Sequence, residues 1–325
     1  TAALRRDSIP VYAIGQEAPF GRTTWQAGVD EPDGPKLGDP RVEGPESHAV
    51  ERIALSFWNQ GYSDPGVLGS GYGPFALTRL CLQTGGEYYA CHGTGASYGS
   101  SSSSAVTFRS WSSSSQWGSG GGSSKAFEFP PALRRRYSPD YVTEAEYQAL
   151  LQSNAACQAL VNAGKQPAVD VGALLQYDFA VTSEAALKRL LDDAQRGAAR
   201  LEPKLAALYD ALAAGEKDRP KLQSPRWQAG YDLAMGRILA ARARIEGYNA
   251  MLAQLKLGKS FANESSTRWS LEPADTIAAG SNYEKLIQQA KMYLERVVND
   301  HPSTPWADLA SRELQQKMGW EWQER

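Results

Sequence analysis

Apolar positions keep a helical beat over the second half of this chain and lose it over the first. Trp227, Tyr231, Ala234, Ile238, Ala241, Ile245, Tyr248, Leu252 and Leu255 alternate steps of four and three without a break. That is a 3.5-residue period, the seam of a coiled coil. Leu187, Leu190, Ala194, Ala198, Leu201, Leu205, Leu208 and Leu212 run nearly as regularly, and the polar stretch Gly215–Pro220 joins the two stripes. The pattern predicts a long antiparallel hairpin over 183–257, each arm about 45 Å long at 1.5 Å per residue. Pro203 should kink or break its first arm. A second helical pair is predicted over 283–318. Leu286, Ala290, Tyr293, Leu294 and Val297 form one face, His301-Pro302 to Thr304-Pro305 breaks it, and Trp306, Ala307, Ala310 and Leu314 begin the next. A helix–turn–helix with small residues at its crossing is similar to a single tetratricopeptide-like unit, which cannot bury its faces alone.

The first half reads differently. Ile9–Gly15 is a short apolar run ended by glycine, the signature of a buried parallel strand. Ala76, Leu77, Leu80 and Cys81 sit at helical spacing, and Thr84-Gly85-Gly86 stops that helix. Glu87–Cys91 reads as another strand, so strand, crossover helix and strand make a βαβ unit. Residues 16–73 form a Gly/Pro-rich insertion, in which Ile53, Leu55 and Phe57 alternate as in a short strand. Residues 97–124 hold 14 serines in 28 positions, too polar to pack a core, so 97–140 reads as a Ser/Gly-rich linker. The expected division is an α/β region over 1–96, the linker, and an all-α domain over 141–325.

Composition narrows the function. At 325 residues the chain has room for roughly two domains. Lys plus Arg number 34 against 36 Asp plus Glu, a net charge of −2, which argues against a dedicated nucleic-acid binder. Arg134-Arg135-Arg136 is too short a cluster to change that. No apolar run reaches the roughly 20 residues that a membrane-spanning helix needs. The chain opens within a helical stretch, Ala2–Arg6, with no signal-like segment, as a fragment of a longer protein would. Cys81, Cys91 and Cys157 show no CxxC spacing; Cys81 lies on an apolar helix face, and a Cys81–Cys91 disulfide is the alternative to free thiols.

Catalytic readings find little support. Of three histidines, His48 lies in the insertion, His92 after the closing strand and His301 in a His-Pro turn that suits a helix end. No Gly-x-Ser-x-Gly elbow joins a strand to a helix. Gly69-Ser70-Gly71-Tyr72-Gly73 invites a phosphate-loop reading, but lacks the Lys-Ser/Thr ending and fits a plain helix start at Pro74. Glu144 with Glu146, and Asp192 with Asp193, read as solvated helix-face charge.

Taken in order, Ile9–Gly15 followed by Phe75–Leu80 and Thr84-Gly85-Gly86-Glu87-Tyr88-Tyr89 resembles the last two strands of a von Willebrand factor A domain. Gly44-Pro45-Glu46-Ser47, Gly71-Tyr72-Gly73-Pro74 and the ending His301-Pro302, Thr304–Ala307 and Gly319-Trp320-Glu321-Trp322 are similar to the large planctomycete-type bacterial proteins that carry this domain. The resemblance implies a doubly wound, Rossmann-type sheet with ligands at the carboxyl ends of its strands. It also implies a divalent cation held by an Asp-x-Ser-x-Ser loop that precedes both strands. This chain has no such loop; the serines at 100–104 lack the aspartate, so no metal ligand carries over.

The expectation is therefore a non-enzymatic interaction scaffold with no catalytic, cofactor or metal residue. Its partners would be proteins, a second copy of the chain among them, with no nucleic acid and no membrane span. Trp111, Trp117 and Trp306 are the candidate interaction residues. A structural subunit of the cell envelope or of another assembly is the first alternative, and a hydrolase fragment using serine with His92 or His48 the second.

Overall fold

The computed structural model describes residues 1–22, 24–26, 41–58, 68–91, 129–171, 175–276 and 280–325. Within them the chain forms two units, neither made from one continuous stretch. The first takes Thr1–Arg52, Pro65–Asn154 and Ser224–Arg226; the second takes Ile53–Asp64, Ala155–Gln223 and Trp227–Arg325. Composition suggested consecutive regions, yet Ile53–Asp64 groups with the second unit and 141–154 with the first, because packing rather than local composition assigns a segment. The serine-rich stretch 97–124 lies outside the described residues.

The first unit runs α1 (Ala2–Arg6), β1 (Ala13–Gln16), β2 (Thr24–Gln26), β3 (Arg41–Glu43), α2 (Phe75–Thr84), β4 (Tyr88–Cys91), α3 (Pro131–Arg136) and α4 (Glu144–Ser153). Strands β1 and β4 pair in parallel, Ala13 opposite Tyr88 and Gln16 opposite Cys91, the pairing that the strand–helix–strand pattern predicts. Strands β2 and β3 form a separate antiparallel ribbon. Gly85 closes α2 in the left-handed region at φ 83°, where a side chain is disfavoured. At Gly86 a Cβ would collide with the Val11 carbonyl, so glycine is required for the chain to turn against the strand before β1. The Thr84 hydroxyl accepts a hydrogen bond from Val11 N at 3.0 Å in the same corner. Thr143 opens α4 with a capping box, exchanging hydrogen bonds with Glu146.

The second unit runs α5 (Ala155–Gly164), β5 (Asp178–Ala180), α6 (Glu184–Ala199), α7 (Glu202–Ala213), a 3₁₀ turn over Glu216–Lys221, α8 (Pro225–Lys256, in this unit from Trp227), β6 (Arg268–Ala274), α9 (Ser281–Asp300), α10 (Pro305–Gln315) and β7 (Gly319–Glu324). The predicted hairpin is present and antiparallel. Tyr231 donates its hydroxyl to the Leu212 carbonyl at 2.7 Å near the joining turn. Toward the far end, Gln195 donates to the Asn249 carbonyl at 3.2 Å, and Lys256 pairs with Asp192. The first arm breaks at Arg200-Leu201, with Pro203 in the opening turn of α7, where its missing N–H costs nothing.

Helix α8 is more than one seam. From Trp227 to Tyr248 all but Gln228, Arg242 and Glu246 are buried, the behaviour of a helix covered on every side. Small residues outside the 3.5-residue stripe permit this: a Cβ at Gly236 would strike Leu294 of α9.

The all-α expectation for 141–325 is corrected by a three-stranded antiparallel sheet in the order β5–β6–β7. Its strands come from segments far apart in sequence. Pro273 lies in the middle strand, but β5 pairs only with 268–270, so the proline sits past the end of β5. In place of the short strand expected within Glu51–Trp58, Leu55 makes an isolated parallel bridge to Val169. Helices α9 and α10 pack on each other with Leu294, Val297, Leu309 and Ala310 buried. Thr304 caps α10, accepting from Ala307 N at 3.2 Å.

Candidate docking surface

The alternation of β1 and β4 divides their side chains between two faces. Tyr88 and Ala90 are half-buried, like Ala13 and Gly15 opposite them. Tyr88 lies against Gly73 at the start of α2 and donates its hydroxyl to the Gln16 carbonyl at 2.8 Å. The other face carries Ile14 opposite Tyr89 and Gln16 opposite Cys91, all exposed. Ile14 is 76% exposed, Tyr12 62% and Tyr89 48%. An uncharged apolar patch thus lies on a parallel strand pair, a type of sheet normally covered on both faces. Glu87 stands beside it, and its charge pushes the Tyr89 phenol above its ordinary range.

Of the residues singled out from sequence, three have no described position. Trp111, Trp117 and His92 lie outside the described residues. Trp306 is only 4% exposed, so its ring is a core group of the second unit and not a surface anchor. His301 ends α9 and is buried, in agreement with its helix-end reading. His48 lies 4.6 Å from the Tyr147 ring, nearly parallel to it, and 4.8 Å from Phe75. Its Nε2 meets a Glu144 carboxylate oxygen at 2.9 Å, while the Ser47 hydroxyl donates to the Ala49 carbonyl. The Gly69–Gly73 loop already holds an internal carboxylate: Gly71 N donates to Glu17 Oε2 at 2.8 Å, and a Cβ at Gly69 would strike that oxygen. Among the described residues no group of three or more His, Cys, Asp or Glu is placed to hold a metal ion. Cys81 and Cys157 are buried and Cys91 is exposed, and none of the three is in a disulfide.

Two buried ionic clusters escaped the sequence reading. In the first unit, Arg226 Nη2 donates to Glu46 and its Nε to Glu51 at 3.0 Å. Gly21 N donates to the second oxygen of Glu46 at 2.8 Å, and the Tyr147 hydroxyl to Glu51 at 3.1 Å. Burial raises the Glu51 carboxyl above its usual range; Arg226 opposes the shift and Glu46 adds to it. In the second unit, Glu313 lies between Arg237 and Arg244, which stand two turns apart on α8. Arg237 also donates to the Leu55 carbonyl at 2.8 Å and lies 3.8 Å over the Phe57 ring. Arg244 donates to the Lys317 carbonyl at 3.0 Å. Both clusters fix backbone segments in place. Their only sequence signal is charge in otherwise apolar or Gly/Pro-rich stretches.

No family model, curated protein or solved structure matches this chain. No helix among the described residues is long and apolar enough to cross a membrane.

Proposed function

We propose that this chain is a non-catalytic interaction scaffold of the von Willebrand A type, and that the bare face of the β1–β4 pair is where it meets protein. The observation that carries the reading is Ile14: an aliphatic side chain 76% exposed in mid-strand, flanked by Tyr12 and Tyr89. Leaving such a patch in water forgoes roughly 25 cal/mol for each Å² of apolar surface that a partner would cover. Tyrosine is also enriched where proteins meet, offering a broad apolar ring with a polar tip. The parallel strand–helix–strand arrangement supports the family resemblance by its order and direction. In this reading the hairpin and the tetratricopeptide-like α9–α10 pair form the supporting body of the scaffold.

A photo-crosslinking amino acid at position 14, compared in native lysate with one at Glu184, an exposed position at the start of α6, tests the proposal. Discrete adducts at 14, weakened by Tyr12→Ser or Tyr89→Ser, are expected. An adduct of twice the chain mass identifies a second copy, and any other discrete mass a different protein. Identical diffuse labelling at both positions would overturn the reading.

A further inference from the structure

We draw no further inference here: the strongest candidate, the bare apolar face of the β1–β4 pair around Ile14, belongs to the site already described, and nothing in the structure shows what covers it.

Discussion

Replacing Glu313 by Gln keeps the shape of the side chain and removes the one carboxylate shared by two buried guanidinium groups. Arg237, Arg244 and Glu313 are each at most 2% exposed. Without Glu313, the arginines keep hydrogen bonds to the carbonyls of Leu55, Gln316 and Lys317, but those dipoles carry no net charge. Removing one partner of a buried ion pair typically costs about 3–5 kcal/mol, because the remaining charge stays desolvated. Glu313→Gln is therefore expected to lose about that much stability in urea unfolding of the whole chain. Trp58 and Trp320 provide the signal, since they meet edge-on at 5.6 Å and Trp320 donates to the Arg244 carbonyl. The triple variant Arg237→Met, Arg244→Met, Glu313→Leu should lose less than the single one, because it leaves no charge behind. A loss under about 1 kcal/mol in Glu313→Gln would refute the argument, since that is the scale of a solvated surface pair.

The same carboxylate gives the experiment a pH axis. Burial alone would raise Glu313, but Arg244 and Arg237 outweigh it and hold the group below its ordinary range. A depressed value in the folded state means the stabilisation is present above the unfolded-state pKa, about 4.3 for glutamate. It is lost as the pH falls through the lower folded value. The stability gap between the wild type and Glu313→Gln should therefore narrow on acidification into that window. A gap that stays constant down to pH 3 would contradict the assignment.

Glu51 should show the opposite sign: with its folded-state pKa raised by burial, its contribution is full below the unfolded value and fades as pH rises through the folded one. Glu51→Gln, which mimics the protonated group, is expected to cost more stability at pH 4 than at pH 8, as measured by urea titrations at the two pH values; equal costs would count against it. Gly86→Ala should lose about 1–3 kcal/mol, because its Cβ meets the backbone oxygen of Val11 and not a flexible side chain; an unchanged unfolding midpoint would show that the corner is loose. Tyr231→Phe, which removes the hydroxyl bonded to the Leu212 carbonyl, should cost about 1–2 kcal/mol in the same assay, and no loss would mean that water reaches that carbonyl.

Much of the helical architecture was legible because helices are local. The four-three rhythm of Trp227–Leu255 and the polar Gly215–Pro220 stretch were enough to predict an antiparallel hairpin, and Pro203 was enough to place a break near α7. The β5–β6–β7 sheet was not legible for the converse reason. Asp178–Ala180 is three residues long, and its partners lie some 90 residues further along the chain, so no local period announces the pairing. Gly319–Glu324 does alternate tryptophan with charge, the pattern of a half-buried strand.

The candidate surface was legible only in part. Ile9–Gly15 and Glu87–Cys91 were read as strands from apolar runs, which is the pattern of strands buried on both sides. The parallel pairing agrees with that reading, but burial does not: one face of each strand is exposed in this unit. The mismatch is itself informative. A sequence that spends Tyr12, Ile14 and Tyr89 on one face of a parallel pair has the composition of an interior while that face remains open to solvent. Aromatic residues concentrate at interfaces. But aromatic identity does not report exposure, as Trp306 in the core demonstrates, whereas an aliphatic side chain left open in mid-strand marks a surface that gains from being covered. For this chain, crosslinking at Ile14 is therefore a sharper test of interaction than mutation of the buried Trp306.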